Sequence, residues 1–572
     1  MTNEEGLRER SPIDDIADRY FDDMAAMSPI LLTELGSAER QDEYDDFSPA
    51  GLRAHRDLAA STLDLLAPEQ PRDLVDAVTK AAMRERLALE IELHDSGAGL
   101  LSLNGIASGL HAIRSVYDQM PQGTLDQWAT IARRLRAVPP AIAGWFESQQ
   151  AAIDLGVRPA QRQVRLLVEQ VRSWVADGGF FDDFLATARL DGEPLPEQVQ
   201  ADLAGGVAIA RGAFEGAADR LEADVLPQAT ATDAVGRERY LLHSREFLGS
   251  VIDLEETYQW GRDELARIEQ MMRDTAERIR PGASIDEAIE ILNADPAYQL
   301  HGTDALREWM QARADEAIAE LSGVHFDIPE PVRRIEACIA PTHDGGIYYT
   351  GPSEDFSRPG RMWWSVPEGE DSFGTWSELT TVYHEGVPGH HLQIAQTAAR
   401  SDLLNRWRRF GAWVSGNGEG WALYAEWLMG ELGFMDDPGN RMGLLDSQRL
   451  RATRVVLDIG VHCGFEAPEE VGGGEWTFDK AWDFFNAHVA MSEGQARFEV
   501  NRYFGWPGQA PAYKIGQRLW LGLREEVRDA LGDAFDLKQF HRTALDIGAV
   551  GLDVLRAAVL DALVPAEVAP EA

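Results

Sequence analysis

The chain has 572 residues, of which 44% are hydrophobic and 26% are charged, as in globular proteins with a large core. Its formal net charge of −43 at pH 7 would repel phosphate backbones and anionic lipid, so we expect neither nucleic-acid nor membrane partners. Two cysteines, Cys338 and Cys463, are too few for a disulfide framework or a cysteine zinc cluster.

The amino-terminal segment, MTNEEGLRERSPIDD, is polar and acidic and has no apolar stretch of the kind found in signal peptides. No run of about eighteen apolar residues occurs in the sequence, so no membrane-spanning helix is predicted. These two features together predict a cytoplasmic protein.

Most of the chain has the residue spacing of amphipathic helices. In residues 71–94 and 160–176, apolar side chains recur every three or four positions. No repeat with a period of about 20–50 residues is present, which argues against a solenoid. We therefore predict a mainly α-helical protein with a helical amino-terminal portion (1–240) and a site-bearing portion (241–572), forming one continuous unit.

Strand-forming residues are concentrated in two short segments, GGIYYT (345–350) and RMWWSV (361–366), which are rich in aromatic and β-branched side chains. The loop between them, GPSEDFSRPG, is dense in turn-forming residues. These segments predict a small β-hairpin or sheet that leads into the next helix.

That next helix carries the strongest chemical signal, in TWSELTTVYHEGVPGHHLQIAQT. Thr375 and Glu378 have the spacing of a capping box, which predicts that the helix begins there. His384 and Glu385 open the zinc-protease signature H-E-x-x-H, but Pro388 occupies the place of the second histidine. Because proline lacks an amide donor and clashes with the carbonyl four residues earlier, the helix must kink or bulge.

The shape of this kink decides which histidine could be the second metal ligand, and His390 and His391 are both candidates. In an unbroken helix His391 would share a face with His384 but lie about 10 Å further along. Zinc–nitrogen bonds of about 2.0–2.1 Å could not span that distance. A local bulge at Gly386 and Gly389 could bring one of the two histidines back.

A third ligand is expected in SGNGEGWALYAEWLMGELGF, where Asn417 is placed to cap a helix. Glu419 and Glu426 share one face of that helix with alanine and leucine side chains. Carboxylates in such surroundings are costly to bury unless a metal, or a histidine on the metal, compensates. We therefore predict Glu419 as a metal ligand and Glu426 as a residue that supports a ligand.

Two later segments supply further polar groups. Arg454, Asp458 and His462 recur at four-residue spacing, which fits either an ion-pair ladder or a network that reaches the site, with His462 as a hydrogen-bond donor. The segment NRYFGWPGQAPAYKIGQRLW adds donors that include Arg502 and Tyr513. Tyr513 is the predicted donor to the oxyanion of a hydrolysis reaction.

Three blocks, YHEGVPGHHLQ, GEGWALYAE and RYFGWPGQAPAYKIG, resemble the signatures of the domain-of-unknown-function 885 family. DRYFDDMAAMSPILLTELG and YYTGPSEDFSRPGRMWW extend the resemblance over nearly the whole chain. The family is grouped with zincin-like metallopeptidases of the glutamate-zincin type, which implies a large helical zincin-like architecture and one zinc ion. Matching Gly389-His390 to the Gly-His of H-E-x-G-H implies that His390 is the second ligand and that Glu419 is the downstream glutamate. The resemblance implies no established substrate.

The function predicted from these residues is zinc-dependent hydrolysis of peptide or related amide bonds, with short peptides as substrates. Glu385 is expected to be the general base for water activated by the ion. The remaining candidates are expected to support the site or to contact substrate: His391, Glu426, His462 and Arg502.

Two other functions fit parts of the sequence. The first is a non-catalytic peptide- or ligand-binding scaffold in which the insertion has destroyed the metal site. The second is a di-iron carboxylate helix bundle, which requires Glu-x-x-His pairs. No histidine of this chain has a glutamate three residues before it, so the second alternative is poor.

Overall fold

The computed structural model describes residues 8–340 and 346–565, and most of them lie in α-helices, which confirms the prediction of a mainly α-helical fold. In chain order the helices are α1 (Pro12–Met27), α2 (Pro29–Glu34), α3 (Pro49–Leu66), α4 (Leu74–Asp95), α5 (Gly109–Ser115), α6 (Leu125–Arg136), α7 (Val138–Asp154), α8 (Gln161–Val175), α9 (Phe180–Thr187), α10 (Glu197–Arg220), α11 (Arg237–Leu248), α12 (Leu254–Ile279), α13 (Ile285–Ala294), α14 (Thr303–Leu321), α15 (Thr375–Glu385), α16 (His390–Ala399), α17 (Ser415–Glu431), α18 (Pro438–Cys463), α19 (Phe478–His488), α20 (Glu493–Gly505), α21 (Ala512–Leu531), α22 (Leu537–Ile547) and α23 (Leu552–Leu563).

The strands are short, and the sheets they form are small. They are β1 (Arg189–Leu190), β2 (Glu193–Pro194), β3 (Gln299–His301), β4 (Ile335–Ile339), β5 (Ile347–Thr350), β6 (Gly360–Trp364) and β7 (Ser372–Gly374). β5 and β6 form an antiparallel pair in which Ile347 lies opposite Trp364, and β4 pairs in parallel with the other edge of β6. The predicted hairpin is therefore present. The chain continues from it through a loop to β7, and α15 begins immediately after β7.

Helix α18 runs through the centre of the molecule. The Asp437 side chain caps its amino end by accepting hydrogen bonds from the amides of Gly439 and Asn440, and Gly464 ends it in a left-handed conformation. Both α18 and α12, which packs against it, are 26 residues long. Almost every side chain of α18 after position 451 is buried, so this helix forms one wall of the core.

The buried side chains form two main hydrophobic clusters. One contains residues between 103 and 229, on α5 to α10 and the adjoining loops. The other combines residues between 13 and 87 with residues between 240 and 559. The first helices of the chain thus share a core with α15 to α18, across the boundary near residue 240 that was drawn between the two predicted portions.

No helix in the described ranges is both long enough and apolar enough to cross a membrane.

Candidate metal centre

The predicted kink at Pro388 is a complete break between two helices. Helix α15 ends at Glu385 and α16 begins at His390, and the Val387–Pro388 peptide bond between them is cis. The Gly389 amide donates a hydrogen bond to the carbonyl of Tyr383 at 3.0 Å. A Cβ atom at Gly389 would lie 1.9 Å from the carbonyl oxygen of His384, so only glycine fits this close approach.

The break brings His390 back toward His384 and places both beside Glu419 of α17. One candidate ligand atom from each of the three residues lies within 4.8 Å of the other two. Oε2 of Glu419 is 3.3 Å from Nε2 of His384 and 3.4 Å from Nε2 of His390. The two imidazole rings are nearly perpendicular, with centroids 4.7 Å apart.

The chemistry of these three residues fits a divalent cation. Oε2 of Glu419 is buried and, within the described residues, has no hydrogen-bond partner. A carboxylate oxygen only accepts hydrogen bonds, and a neutral imidazole presents a lone pair at one of its nitrogens. Lone pairs that converge without a donor between them repel one another, and a cation removes that cost. Two histidines and one glutamate are also a ligand set of zinc enzymes.

Glu426 is positioned to fix the orientation of His384. Its Oε1 lies 2.7 Å from Nδ1 of His384, and its Oε2 accepts hydrogen bonds from Thr380 at 2.6 Å and Ser447 at 3.1 Å. Because the carboxylate can only accept, Nδ1 of His384 carries the proton and Nε2 is left to face Glu419 and His390. Glu426 is fully buried, and these three donors offset the free-energy cost of removing its carboxylate from water.

The electrostatics of the cluster favour a positive charge. Burial alone lowers the pKa of His384, but the neighbouring carboxylates of Glu419 and Glu426 outweigh burial and raise this pKa to about 10. Burial raises the pKa of Glu419, yet His390 and His384 hold it well below its usual range. A proton and a metal cation therefore compete for the same place.

Glu385, the last residue of α15, lies next to this cluster and lines the same cavity. Its Oε2 is buried and has no hydrogen-bond partner among the described residues. Burial raises the pKa of this carboxyl group, and the nearby histidines lower it by less. A carboxylate with a raised pKa and an unused oxygen is suited to accept a proton.

The cluster opens into a cavity of about 1020 Å³ whose wall includes Tyr513, Arg454 and Arg502. The guanidinium carbons of Arg454 and Arg502 lie 5.0 and 5.9 Å from the centre of the Tyr513 ring. Tyr513 is close enough to Glu419 for the carboxylate charge, together with burial, to raise the pKa of its hydroxyl. The predicted donors Tyr513 and Arg502 thus line the same cavity as the cluster of histidines and glutamates.

Two predicted site residues lie elsewhere. Nε2 of His391 is 2.7 Å from the carbonyl of Val332 and Nδ1 is 2.9 Å from the Tyr349 hydroxyl, so both ring nitrogens are engaged outside the cluster and His391 does not line the cavity. His462 is fully buried and bonds the Tyr503 carbonyl at 2.7 Å, outside the cavity wall. The expectation that His462 donates a hydrogen bond into the site is therefore not met.

Several residues of the cavity were missed by the sequence reasoning. They are Tyr348, Trp413, Arg451, Phe498 and Glu499. Arg451 and Glu499 stand three residues before Arg454 and Arg502, respectively, so helical spacing would have placed each beside a predicted residue. The exposed aromatic residues carried no signal, because a single aromatic side chain usually packs in a core.

Comparison with known proteins identifies two solved structures with the same fold. One is a putative lipoprotein from Colwellia psychrerythraea, with a TM-score of 0.82 and 23% identity over 96% of this chain and 98% of that chain. The other is a putative lipoprotein of unknown function from Shewanella oneidensis, with a TM-score of 0.70 and 16% identity over 96% and 100% of the two chains. A carboxypeptidase from Pyrococcus furiosus aligns over 98% of both chains with 13% identity and a TM-score of 0.40, which is too low to indicate the same fold. No curated protein matches the sequence.

The prediction of a cytoplasmic protein is contradicted by these neighbours, because the structures from Colwellia psychrerythraea and Shewanella oneidensis are both described as putative lipoproteins. The prediction depended on the polarity of the first fifteen residues, of which residues 1–7 lie outside the described part of the chain. Polarity in so short a segment is a weak indicator of compartment.

The family model described as bacterial protein of unknown function (DUF885) matches residues 29–559, which is most of the chain. This match confirms the resemblance carried by the three sequence blocks. The protein is a member of the DUF885 family.

Proposed function

We propose that this protein is a zinc-dependent hydrolase of peptide or related amide bonds. The observation that carries the proposal is the convergence of His384, His390 and Glu419, with Glu385 beside them, at the wall of a cavity of about 1020 Å³. A cavity of this size accommodates a short peptide. The resemblance of the sequence blocks to zincin-like metallopeptidases supports the same reaction.

His384, His390 and Glu419 would hold the ion, and Glu426 would keep His384 in the tautomer that ligation requires. A zinc ion in such a site supplies Lewis-acid activation of a carbonyl group and of water. Three protein ligands leave one position of a tetrahedral site open, as catalytic zinc sites do.

Glu385 is the proposed general base. Its buried Oε2 has no partner among the described residues, and burial keeps its pKa above that of an exposed glutamate. It would take a proton from the attacking water and pass it to the leaving amine. Because its oxygen makes no other hydrogen bond, the proton transfer would break no existing contact.

Tyr513 is the proposed donor to the developing oxyanion. Burial and the charge of Glu419 raise the pKa of its hydroxyl, so the group stays protonated at neutral pH and can donate. Its ring is held beneath the guanidinium groups of Arg454 and Arg502, which limits its motion.

The test is cleavage of a mixed peptide library, followed by mass spectrometry, by the zinc-loaded protein and by its Glu385→Gln variant. We expect the wild type to release fragments and Glu385→Gln to be at least about 100-fold slower, because glutamine cannot accept the proton. The variant should keep its zinc, since Glu385 is not in the ligand cluster. Equal cleavage by both proteins would contradict the role of Glu385 as general base. No cleavage by a zinc-loaded wild type would contradict the hydrolase proposal and favour a binding scaffold.

A further inference from the structure

The cavity beside the metal centre is rich in positive charge for so acidic a protein. Its wall contains three guanidinium groups, those of Arg451, Arg454 and Arg502. These equal in number the carboxylates of Glu385, Glu419 and Glu499, whereas the whole chain has a net charge of −43. A divalent cation at the centre would make the wall positive overall, and such a wall favours an anionic ligand.

Two of the guanidinium groups share a single carboxylate. Arg454 donates to Oε2 of Glu499 at 3.0 and 3.2 Å, and Arg502 donates to Oε1 at 3.2 Å. Within the described residues, Arg454 pairs with no other carboxylate, and Arg502 makes its other hydrogen bonds to the neutral amide of Gln509. Two guanidinium groups are thus hydrogen-bonded to one carboxylate, and a second carboxylate supplied by a ligand could form charge-assisted hydrogen bonds with the pair.

Aromatic side chains surround the same pair. Among the large hydrophobic residues that the described chain leaves exposed, the three aromatic ones are Tyr348, Trp413 and Phe498, with exposed fractions of 41, 45 and 49%. All three line this cavity. Exposed aromatic residues gathered at one cavity indicate contact with an apolar partner. Phe498 precedes Arg502 by one helical turn on α20, so the two side chains share a face.

We propose that Arg454 and Arg502 bind the free carboxylate at the end of a short peptide whose last side chain is apolar and packs against Phe498. The inference rests on the proposed hydrolase function and specifies its substrate. The two guanidinium groups lie 5.0 and 5.9 Å from the Tyr513 ring centre and line the same cavity as the metal centre, so a short peptide bound at the pair by its carboxylate can extend toward that centre. The enzyme would remove residues from carboxyl ends and would not cut within long chains.

Binding can be measured without cleavage in the Glu385→Gln background, with the full chain loaded with zinc. Isothermal titration calorimetry compares N-acetyl-Leu-Phe, its carboxamide N-acetyl-Leu-Phe-amide, and N-acetyl-Leu-Glu-amide, whose only carboxylate is on a side chain. We expect the free acid to bind at least about tenfold more tightly than either amide. Equal binding of the free acid and its amide would overturn the proposal, and preferential binding of the glutamate peptide would show that a side-chain carboxylate is recognised instead.

Arg502→Gln, added to that background, should weaken binding of the free acid by about tenfold and leave the amide unchanged. Arg454 is less suitable for substitution, because it is buried and its removal would leave the buried carboxylate of Glu499 without two of its hydrogen-bond donors. The matched control is Arg497→Gln on the same helix, since Arg497 pairs with exposed Glu493 and lies outside the cavity wall. If the Arg502 variant still bound the free acid as much more tightly than the amide as the parent protein does, the assignment of the carboxylate to Arg454 and Arg502 would be overturned. The carboxylate would then bind elsewhere, such as on the zinc.

The same peptides, given to the wild type, separate this inference from the function on which it depends. Cleavage of the acid but not of its amide would support both. Preferential binding of the acid without any cleavage would contradict the hydrolase proposal and leave the carboxylate site intact. Equal cleavage of acid and amide would support the hydrolase and overturn the carboxylate site.

Discussion

At the scale of single residues, the buried histidines have opposite electrostatic environments. His384 lies against the carboxylates of Glu419 and Glu426, which raise its pKa to about 10. His462 and His541 have no such partner, and burial lowers their pKa to about 4 and about 3. The first environment attracts a cation, whereas the other two exclude one.

His462 therefore makes the folded state sensitive to acid. Its folded pKa of about 4 lies below the ordinary value of 6.5, so the unfolded chain binds the proton first as the pH falls. The free energy of unfolding should decrease between about pH 6.5 and pH 4, and this residue should contribute about 2 kcal/mol of the loss between pH 7 and pH 4.5. In His462→Gln, which keeps an N–H donor for the Tyr503 carbonyl, that part of the loss should disappear.

Urea unfolding at pH 7 and pH 4.5 measures this difference. His301→Gln is the control, because His301 is exposed and the same substitution there should leave the pH dependence unchanged. Identical pH dependence in wild type and His462→Gln would contradict the assignment.

The spacing of Arg454, Asp458 and His462 correctly indicated a shared helix, but only Arg454 of the three lines the cavity. Asp458 accepts hydrogen bonds from the Tyr240 hydroxyl at 2.7 Å and the Gly508 amide at 2.9 Å. Spacing shows which residues align along a helix, but it does not show where along the helix a cavity ends. The neighbours that decide this come from distant parts of the chain.

At the scale of elements, the metal centre depends on the break between α15 and α16 and on α17, which packs across it. The Trp421 indole donates hydrogen bonds to the carbonyls of Pro388 and Gly389 at 2.9 and 3.2 Å. Trp421 stands between Glu419 and Glu426 on α17, so one helix supplies a candidate ligand, supports His384 and holds the break in place. The geometry of the site is thus fixed by backbone contacts as well as by side chains.

Gly389→Ala should disrupt the site without removing any candidate ligand. The new methyl group would lie 1.9 Å from the His384 carbonyl, and relieving this clash must move His384 and His390 apart. We expect zinc affinity to fall by at least about tenfold, a loss comparable to that caused by mutating groups that orient ligands. Competition with a zinc-sensitive dye measures the affinity.

Gly522→Ala on α21 is the control for this substitution, because a methyl group there meets no atom within 4 Å. It should leave zinc affinity unchanged. Unaltered zinc binding in Gly389→Ala would show that the close approach at the break does not position the ligands.

The sequence predicted the start of α15 at Thr375 but not its cap. The cap residue is Gly374, and the Thr375 hydroxyl donates to the Tyr298 carbonyl. Asn417, predicted as a cap, lies inside α17, where its side chain bonds Gln393 and the Val550 carbonyl. In both cases the side chain forms hydrogen bonds with a group distant in sequence instead of with the backbone amides at the start of its own helix. Local sequence patterns carry no information about such distant partners.

At the scale of the whole molecule, the candidate site lies on a core to which both ends of the chain contribute. Ile13, Phe21 and Leu87 belong to the same buried cluster as Leu379 of α15 and Val455 of α18. Periodicity correctly predicted which faces of these helices are apolar, and hence the mainly helical fold. It could not predict which helix each face meets, and so it did not reveal that the first helices share a core with the site-bearing helices.

A fragment containing residues 241–572 should therefore not fold by itself. It lacks α1, α3 and α4, whose apolar faces cover the core around the site-bearing helices. We expect no cooperative thermal transition by circular dichroism and no stoichiometric zinc binding, whereas the full chain should show both. A cooperative transition in the fragment would contradict this account and would show that residues 241–572 fold as an independent unit.

The most direct test of the metal centre is the zinc content of the full chain, measured by mass spectrometry after purification without chelator. The wild type should contain about one zinc per chain, and His384→Ala and His390→Ala should contain almost none. His391→Gln should keep its zinc, because His391 bonds Val332 and Tyr349 instead of facing the cluster. A wild type without zinc even after reconstitution, or a His390→Ala variant that retains zinc while His391→Gln loses it, would contradict the assignment.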